Sequence, residues 1–154
     1  MTTILVTAAG APGAARLLRA LRENGERDVR LVGVDMAERA VGRLLCDSFR
    51  VVPAGSDPSY ADSLLDVVEQ ERIDVVLPES SHDLAGLAAA RERFPVPVLT
   101  SGPDTVRRSN DKAETYAALH RIGVRAPEFR RVTGAAGVEQ AARELGYPER
   151  PVCF

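Results

Sequence analysis

Ile4-Leu5-Val6-Thr7-Ala8-Ala9-Gly10-Ala11-Pro12-Gly13 decides the fold, because an aliphatic and β-branched run passes directly into a loop of small residues. Apolar residues then recur at Ala14, Leu17, Leu18 and Leu21, spacings of three, four and seven that put one face of a helix on a core. Asn24-Gly25 supplies the stop. The next run, Leu31-Val32-Gly33-Val34-Asp35, is apolar almost throughout, as expected of a strand covered on both faces in a parallel sheet. Together these segments predict a βαβ unit.

Working outward, the pattern repeats. Ser48-Phe49-Arg50-Val51-Val52 reads as a third strand, and Asp57-Pro58 opens a helix, with aspartate as N-cap and proline at the first helical position, carrying Leu64, Leu65 and Val68 inward. Asp74-Val75-Val76-Leu77-Pro78 is the fourth strand, residues 84–94 the next helix and residues 96–100 a fifth strand. Such alternation predicts an α/β fold, a Rossmann-like, doubly wound, mainly parallel open sheet. Its ligands are expected beyond the carboxyl ends of the strands, a rim formed by residues 8–13, Asp35, residues 79–82 and Thr100-Ser101-Gly102.

After Pro103 the rhythm changes. A capped helix runs from Asp111 to about Ile122 and stops at Gly123, residues 128–132 are strand-like, and a second helix covers residues 138–145. Gly146-Tyr147-Pro148 then leads into Pro151-Val152-Cys153-Phe154, which reads as a strand just starting. A strand without its partners would be an exposed edge, so the second unit is expected to be truncated.

Composition narrows the function classes. With 154 residues, a net charge of -2, mixed signs throughout and seven aromatics, the chain has neither the basic stripe nor the stacking platforms of a nucleic-acid binder. No run approaches the ~18 apolar residues of a membrane span, and Met1-Thr2-Thr3 leads straight into a strand, so a cytoplasmic protein with no membrane partner is expected. Cys46 and Cys153 lie far apart, without metal-ligand spacing, and read as buried or incidental thiols.

Nineteen of the twenty basic residues are arginine, and the exception is Lys112, in Ser109-Asn110-Asp111-Lys112. Asp111 and Glu114 fit a capping box, which puts Lys112 at the first helical position beside the partly positive helix end. An ammonium there is unfavourable unless something negative stands in front of it, and together with free backbone N–H groups it makes an anion site suited to phosphate. The bland alternative is a residue of a solvated helix surface.

Two rim segments hold the remaining candidates. Residues 8–13 are similar to a dinucleotide fingerprint with alanine for the first glycine, and Asp35 stands where a ribose-binding carboxylate would sit; an NAD(P)-dependent reductase or epimerase is one reading, a tight strand-to-helix turn the other. In Pro78-Glu79-Ser80-Ser81-His82-Asp83, Ser80 or Ser81 reads as a helix cap and Asp83 as favouring the positive helix end, which leaves Glu79 as the better substrate contact. His120 falls late in its helix, and Asp57, Asp104 and Asp111 all look like caps.

Taken in order, Ile4-Leu5-Val6-Thr7-Ala8-Ala9-Gly10, Val32-Gly33-Val34-Asp35, Val51-Val52-Pro53 with Ser56-Asp57-Pro58-Ser59-Tyr60, Ile73-Asp74-Val75-Val76-Leu77-Pro78 and Asn110-Asp111-Lys112 resemble the start of an ATP-grasp enzyme of the carbamoyl-phosphate-synthase-like type. The resemblance implies a pre-ATP-grasp domain over residues 1–107 and the truncated first part of a small α+β ATP-grasp subdomain over 108–154. It implies an ATP-dependent carboxylate–amine (or related carboxylate–nucleophile) ligase acting through an acyl phosphate, with a small-molecule carboxylate and amine as partners and a possible homodimer. Lys112 matches the family's nucleotide-contacting basic residue, at the ATP phosphates; Gly10, Gly13, Glu79 and Ser80 would face the substrate. The family's second ATP-binding lysine, its glycine-rich phosphate loop and its acidic Mg2+ ligands are expected beyond Phe154, so the chain alone is expected to be inactive. A non-catalytic module binding a small molecule or a protein remains the third reading.

Overall fold

The computed structural model describes residues 1–153. It divides into two compact units, Met1–Val106 and a second that begins at Arg107. The first contains strands β1 (Thr2–Thr7), β2 (Val29–Asp35), β3 (Ser48–Val51) and β4 (Val75–Pro78), in the order β3-β2-β1-β4 with every pairing parallel. The mainly parallel sheet of the sequence reading is therefore what forms. Helix α1 (Ala14–Arg22) follows β1, the single turn α2 (Gly42–Leu45) precedes β3, α3 (Tyr60–Glu71) connects β3 to β4, and α4 (Ser81–Ala90) follows β4.

Alternation along the strands sorts the core into two layers. Ile4, Val6 and Leu31 pack with Leu18, and Leu17 and Leu21 border them, so α1 covers one face. Leu5, Val32, Val34 and Val76 pack with Tyr60, Leu64, Val67 and Val68 of α3 and with Leu87 of α4, which cover the other. Because both faces are covered, the central strands are apolar throughout, and the loops at their carboxyl ends are left to form the rim.

Several expected elements differ. Residues 96–100 do not form a fifth strand: Val98 makes a single parallel bridge with Val76, through Val76 N–H to the Pro97 carbonyl and Leu99 N–H to the Val76 carbonyl, both at 2.9 Å. Pro97 has no N–H to extend a ladder. The helix expected at Asp57-Pro58 begins at Tyr60; Asp57 instead closes a turn, its Oδ1 accepting from the Ser59 N–H at 2.8 Å and the Ser59 hydroxyl at 2.7 Å. Asp104 lies within the first turn of α5 (Pro103–Asn110), a helix that the sequence reading did not propose, and so is not a cap.

In the second unit α6 is Lys112–Arg121 and α7 is Ala135–Glu144. Residues 128–132 are irregular, because their side chains bind helices instead of a neighbouring strand. Phe129 lies 5.8 Å, ring to ring, from Tyr116, Arg130 pairs with Glu144 at 3.1 Å, and Arg131 pairs with Asp111 at 2.9 Å. His120 sits in the last turn of α6, with Nε2 3.2 Å from the Ala126 carbonyl. Residues 151–153 form no strand, and Phe154 lies outside the described residues. No helix among the described residues is long and apolar enough to cross a membrane.

Candidate functional site

The rim of the first unit encloses a cavity of about 640 Å3. One wall is the loop after β1 with Ala8, Gly10 and Pro12, a second is Asp35 at the end of β2 with Met36, and a third is Val52 and Pro53 after β3. Ser80, His82 and Asp83 at the start of α4 close it, with Tyr60 of α3.

The first loop is held by Asp35. Its Oδ2 accepts from the Gly10 N–H and its Oδ1 from the Ala37 N–H, both at 2.8 Å. A Cβ at Gly10 would stand 2.9 Å from Asp35 Oδ2 and 2.9 Å from Ala40 Cβ, so only glycine lets the loop close so tightly. The fingerprint-like glycine thus serves a backbone-to-carboxylate clamp. With both oxygens engaged in that clamp, Asp35 does not present the free carboxylate that a ribose would need.

Glu79 lies over Gly13, its Oε1 in the space that a Cβ there would occupy. Gly13 is the N-cap of α1, so the Glu79 carboxylate faces the positive end of that helix. A pyrophosphate in a dinucleotide site would need that same place and would meet like charge. Gly10 and Ser80 line the cavity; Gly13 and Glu79 pair with one another outside its lining. Ser80 is the N-cap of α4, its Oγ accepting from the His82 N–H at 3.2 Å.

Lys112 belongs to the second unit, as the first residue of α6. The expected cap is present: Asp111 accepts from the Glu114 N–H at 3.0 Å, and that hydrogen bond, followed by Arg131, holds the Asp111 carboxyl below its usual range. Lys112 is exposed, and its ammonium makes no hydrogen bond or ion pair with another described residue. Of the cysteines, Cys46 is half-buried, its thiol pushed up to about 11 chiefly by burial, and Cys153 is exposed.

Sequence reasoning missed a buried cluster beneath the cavity. The Thr7 hydroxyl donates to Asp83 Oδ2 at 2.8 Å, across 76 positions of sequence. Beside them Tyr60 is 3% exposed, its phenol set against the Thr7 and Asp83 side chains. Burial first, and then the charge of Asp83, push the Tyr60 phenol above the ordinary tyrosine range. A signal did exist: Tyr60, Leu64, Val67 and Val68 share the inward face of α3, and a tyrosine on a buried face needs somewhere for its polar tip. Among the described residues no three His, Cys, Asp or Glu side chains converge to hold a metal ion.

The fold of this chain is shared by a group of known proteins. The sequence profile described as PylC-like, N-terminal domain matches residues 4–99. This chain belongs to the PylC-like N-terminal domain family. The PylC-like region is the pre-ATP-grasp part of ATP-grasp proteins. The carbamoyl phosphate synthase large chain of Rubrobacter xylanophilus is 28% identical over 137 residues, covering 84% of this chain and 12% of that protein. A formate-dependent phosphoribosylglycinamide formyltransferase of Nitratiruptor sp. is 26% identical over 121 residues, covering 78% of this chain and 30% of that protein. Among solved structures, an N5-carboxyaminoimidazole synthetase from Staphylococcus aureus complexed with ADP matches with a TM-score of 0.66 at 19% identity, over 96% of this chain and 37% of that one. The biotin carboxylase subunit of pyruvate carboxylase matches at 0.60 and 19%, over 96% and 34%. At such identities the structural matches establish the fold. This PylC-like chain spans between 12% and 37% of the length of these proteins.

Proposed function

We propose that this chain is the N-terminal part of a cytoplasmic ATP-dependent ligase that joins a carboxylate to an amine or a related nucleophile. In this scheme the carboxylate attacks the γ-phosphorus of ATP, ADP leaves, and the resulting acyl phosphate is attacked by the nucleophile with loss of phosphate. The observation that carries the proposal is the rim cavity at the strand ends of a pre-ATP-grasp sheet, with a clamped loop and a carboxylate set over the first helix.

In the assembled enzyme Gly10 and Ser80 contribute to the substrate pocket directly. Gly13 contributes through the room it leaves for Glu79, whose carboxylate orients the substrate. Lys112 supplies an ammonium to the ATP phosphates, charge stabilisation of the kind that phosphoryl transfer requires. Magnesium, when bound with ATP, neutralises phosphate charge. Residues 1–107 act as the pre-ATP-grasp domain and 108–154 as the opening of the ATP-grasp subdomain, so this chain alone lacks turnover.

Against a dinucleotide-dependent reaction stand the engaged Asp35 carboxylate and the Glu79 carboxylate at the α1 end. The test is ADP release by the product of the full reading frame, supplied with ATP, magnesium and a panel of small carboxylates and amines. ADP formation that depends on one carboxylate is expected; NADH oxidation without ADP formation overturns the proposal.

A further inference from the structure

Gly86 stands in the middle of α4, where glycine is the poorest helix former after proline. The loop after β3 accounts for it. A Cβ at Gly86 would lie 2.9 Å from the Gly55 carbonyl oxygen, a backbone atom that cannot swing aside as a side chain would. A Cβ at Gly55 would in turn lie 2.5 Å from Asp83 Oδ1, 2.9 Å from Asp83 Cα and 3.0 Å from the His82 carbonyl oxygen. Loop and helix therefore meet backbone to backbone, with glycine on both sides.

This contact bears on the rim cavity from behind. Pro53, Ala54, Gly55 and Ser56 form one of the cavity walls, whereas Gly86 is not part of the lining. The helix is fixed on both sides of residue 86, because Asp83 accepts from the Thr7 hydroxyl of β1 at 2.8 Å and Leu87 is fully buried in the core. The loop is a short turn, closed by the Asp57 N–H donating to the Ala54 carbonyl at 2.8 Å, and a push on Gly55 is passed along it. Of the two partners the loop is therefore the one that yields. We infer that Gly86, without touching the cavity, sets where its 53–56 wall stands and so how well a substrate at the rim fits; it is a positioning residue that acts through Gly55. The inference rests on the ligase proposal for the existence of a rim substrate, and not for the contact itself.

The test has two arms. In the chain itself, proton–nitrogen correlation spectra compare Gly86→Ala with Ala85→Gly, a substitution on the exposed side of α4. Gly86→Ala is expected to shift the amides of residues 54–57, and Ala85→Gly to leave them in place. In the full-length protein, ADP release is followed with ATP, magnesium and the carboxylate and amine on which the release depends. Gly86→Ala is expected to raise the KM for one of these two substrates about tenfold, since small misplacements of binding groups are costly. The KM for ATP and the melting temperature stay close to those of the parent, because alanine is the better helix former and the strain falls on the loop. Ala85→Gly lowers the melting temperature and leaves every KM unchanged, which separates a weakened helix from a displaced wall. Unmoved amides at residues 54–57, parent-like KM values, an equal rise in the KM for ATP, or loss of the fold in Gly86→Ala overturns the inference. If the full-length parent releases no ADP, the ligase proposal falls, and the amide shifts alone decide whether Gly86 sets the wall.

Discussion

The Glu79 carboxylate rests over Gly13, in the space that the first carbon of any side chain there would fill. One residue follows the last residue of β4 and the other caps α1, so the contact joins two rim loops distant in sequence. Gly13→Ala must push the carboxylate aside. Gly13 already has helical backbone angles, φ -83 and ψ -21, which alanine adopts freely, and the displaced atom is the end of a flexible side chain. Stability is therefore expected to change by less than about 1 kcal/mol. In the full-length protein the same substitution raises the KM for the rim substrate, and urea denaturation beside steady-state kinetics separates the two effects.

Asp35 holds two loop amides, those of Gly10 and Ala37. Asp35→Ala leaves both to water or without a partner, and a loss of about 1–3 kcal/mol in a urea titration is expected. Gly10→Ala, which would press on Asp35 and Ala40, is expected to cost a comparable amount through overpacking. Unchanged midpoints for both variants would show that the clamp does not hold the loop in solution.

Glu71 ties the end of α3 to the sheet. It accepts from Arg30 Nη2 at 2.5 Å and from the Ser48 hydroxyl at 2.8 Å, and pairs with Arg50 at 2.9 Å, its side chain 8% exposed. These contacts, the Arg30 hydrogen bond first and the Ser48 one next, lower its carboxyl to about 2. Its ordinary value is 4.5, so the folded state holds this proton more weakly than the unfolded state does. The stabilisation is therefore complete above about pH 4.5 and disappears as pH falls towards 2. It amounts to at most about 3 kcal/mol. Glu71→Gln should flatten the acid limb of the stability profile between these values, and a parent-like acid limb in that variant would rule the network out as its source.

Lys112 leads α6 with no partner among the described residues. A cation in the first turn opposes the helix dipole, so Lys112→Ala should leave stability unchanged or raise it by about 0.3–1 kcal/mol. Asp111→Ala, which removes the cap and the Arg131 contact, should lower it. Thermal melts of the two variants should therefore move in opposite directions or leave Lys112→Ala alone unaffected.

The sheet was legible because its signals are local. Apolar runs four to seven residues long, broken by Gly, Pro and Asn, mark strands and helices without reference to distant sequence, and the rim follows from where the strands end. The cap at Asp111 was legible for the same reason. Residues 96–100 were misread because valine and leucine suit a strand, while the ladder depends on an N–H group that Pro97 lacks. Residues 128–132 show the converse: strand-forming composition gave way to Phe129, Arg130 and Arg131, whose partners lie on the flanking helices. Asp83 read as a helix-end charge, which it is, but its hydrogen bond with Thr7 exists only once β1 and β4 lie side by side. Tyr60 entered the sequence reading only within Ser56-Asp57-Pro58-Ser59-Tyr60, and only the folded chain shows it 3% exposed beside Thr7 and Asp83.

Acyl-phosphate chemistry has a direct signature. With the full-length protein and ATP labelled with oxygen-18 in the bridge between its β and γ phosphates, reversible transfer to a carboxylate lets the label rotate into a non-bridging β position before ATP reforms. Scrambling that requires one carboxylate from a panel of small acids, and that falls sharply in Lys112→Ala, is the predicted result. Absence of carboxylate-dependent scrambling across the panel, in protein that is folded and binds ATP, would contradict the assignment.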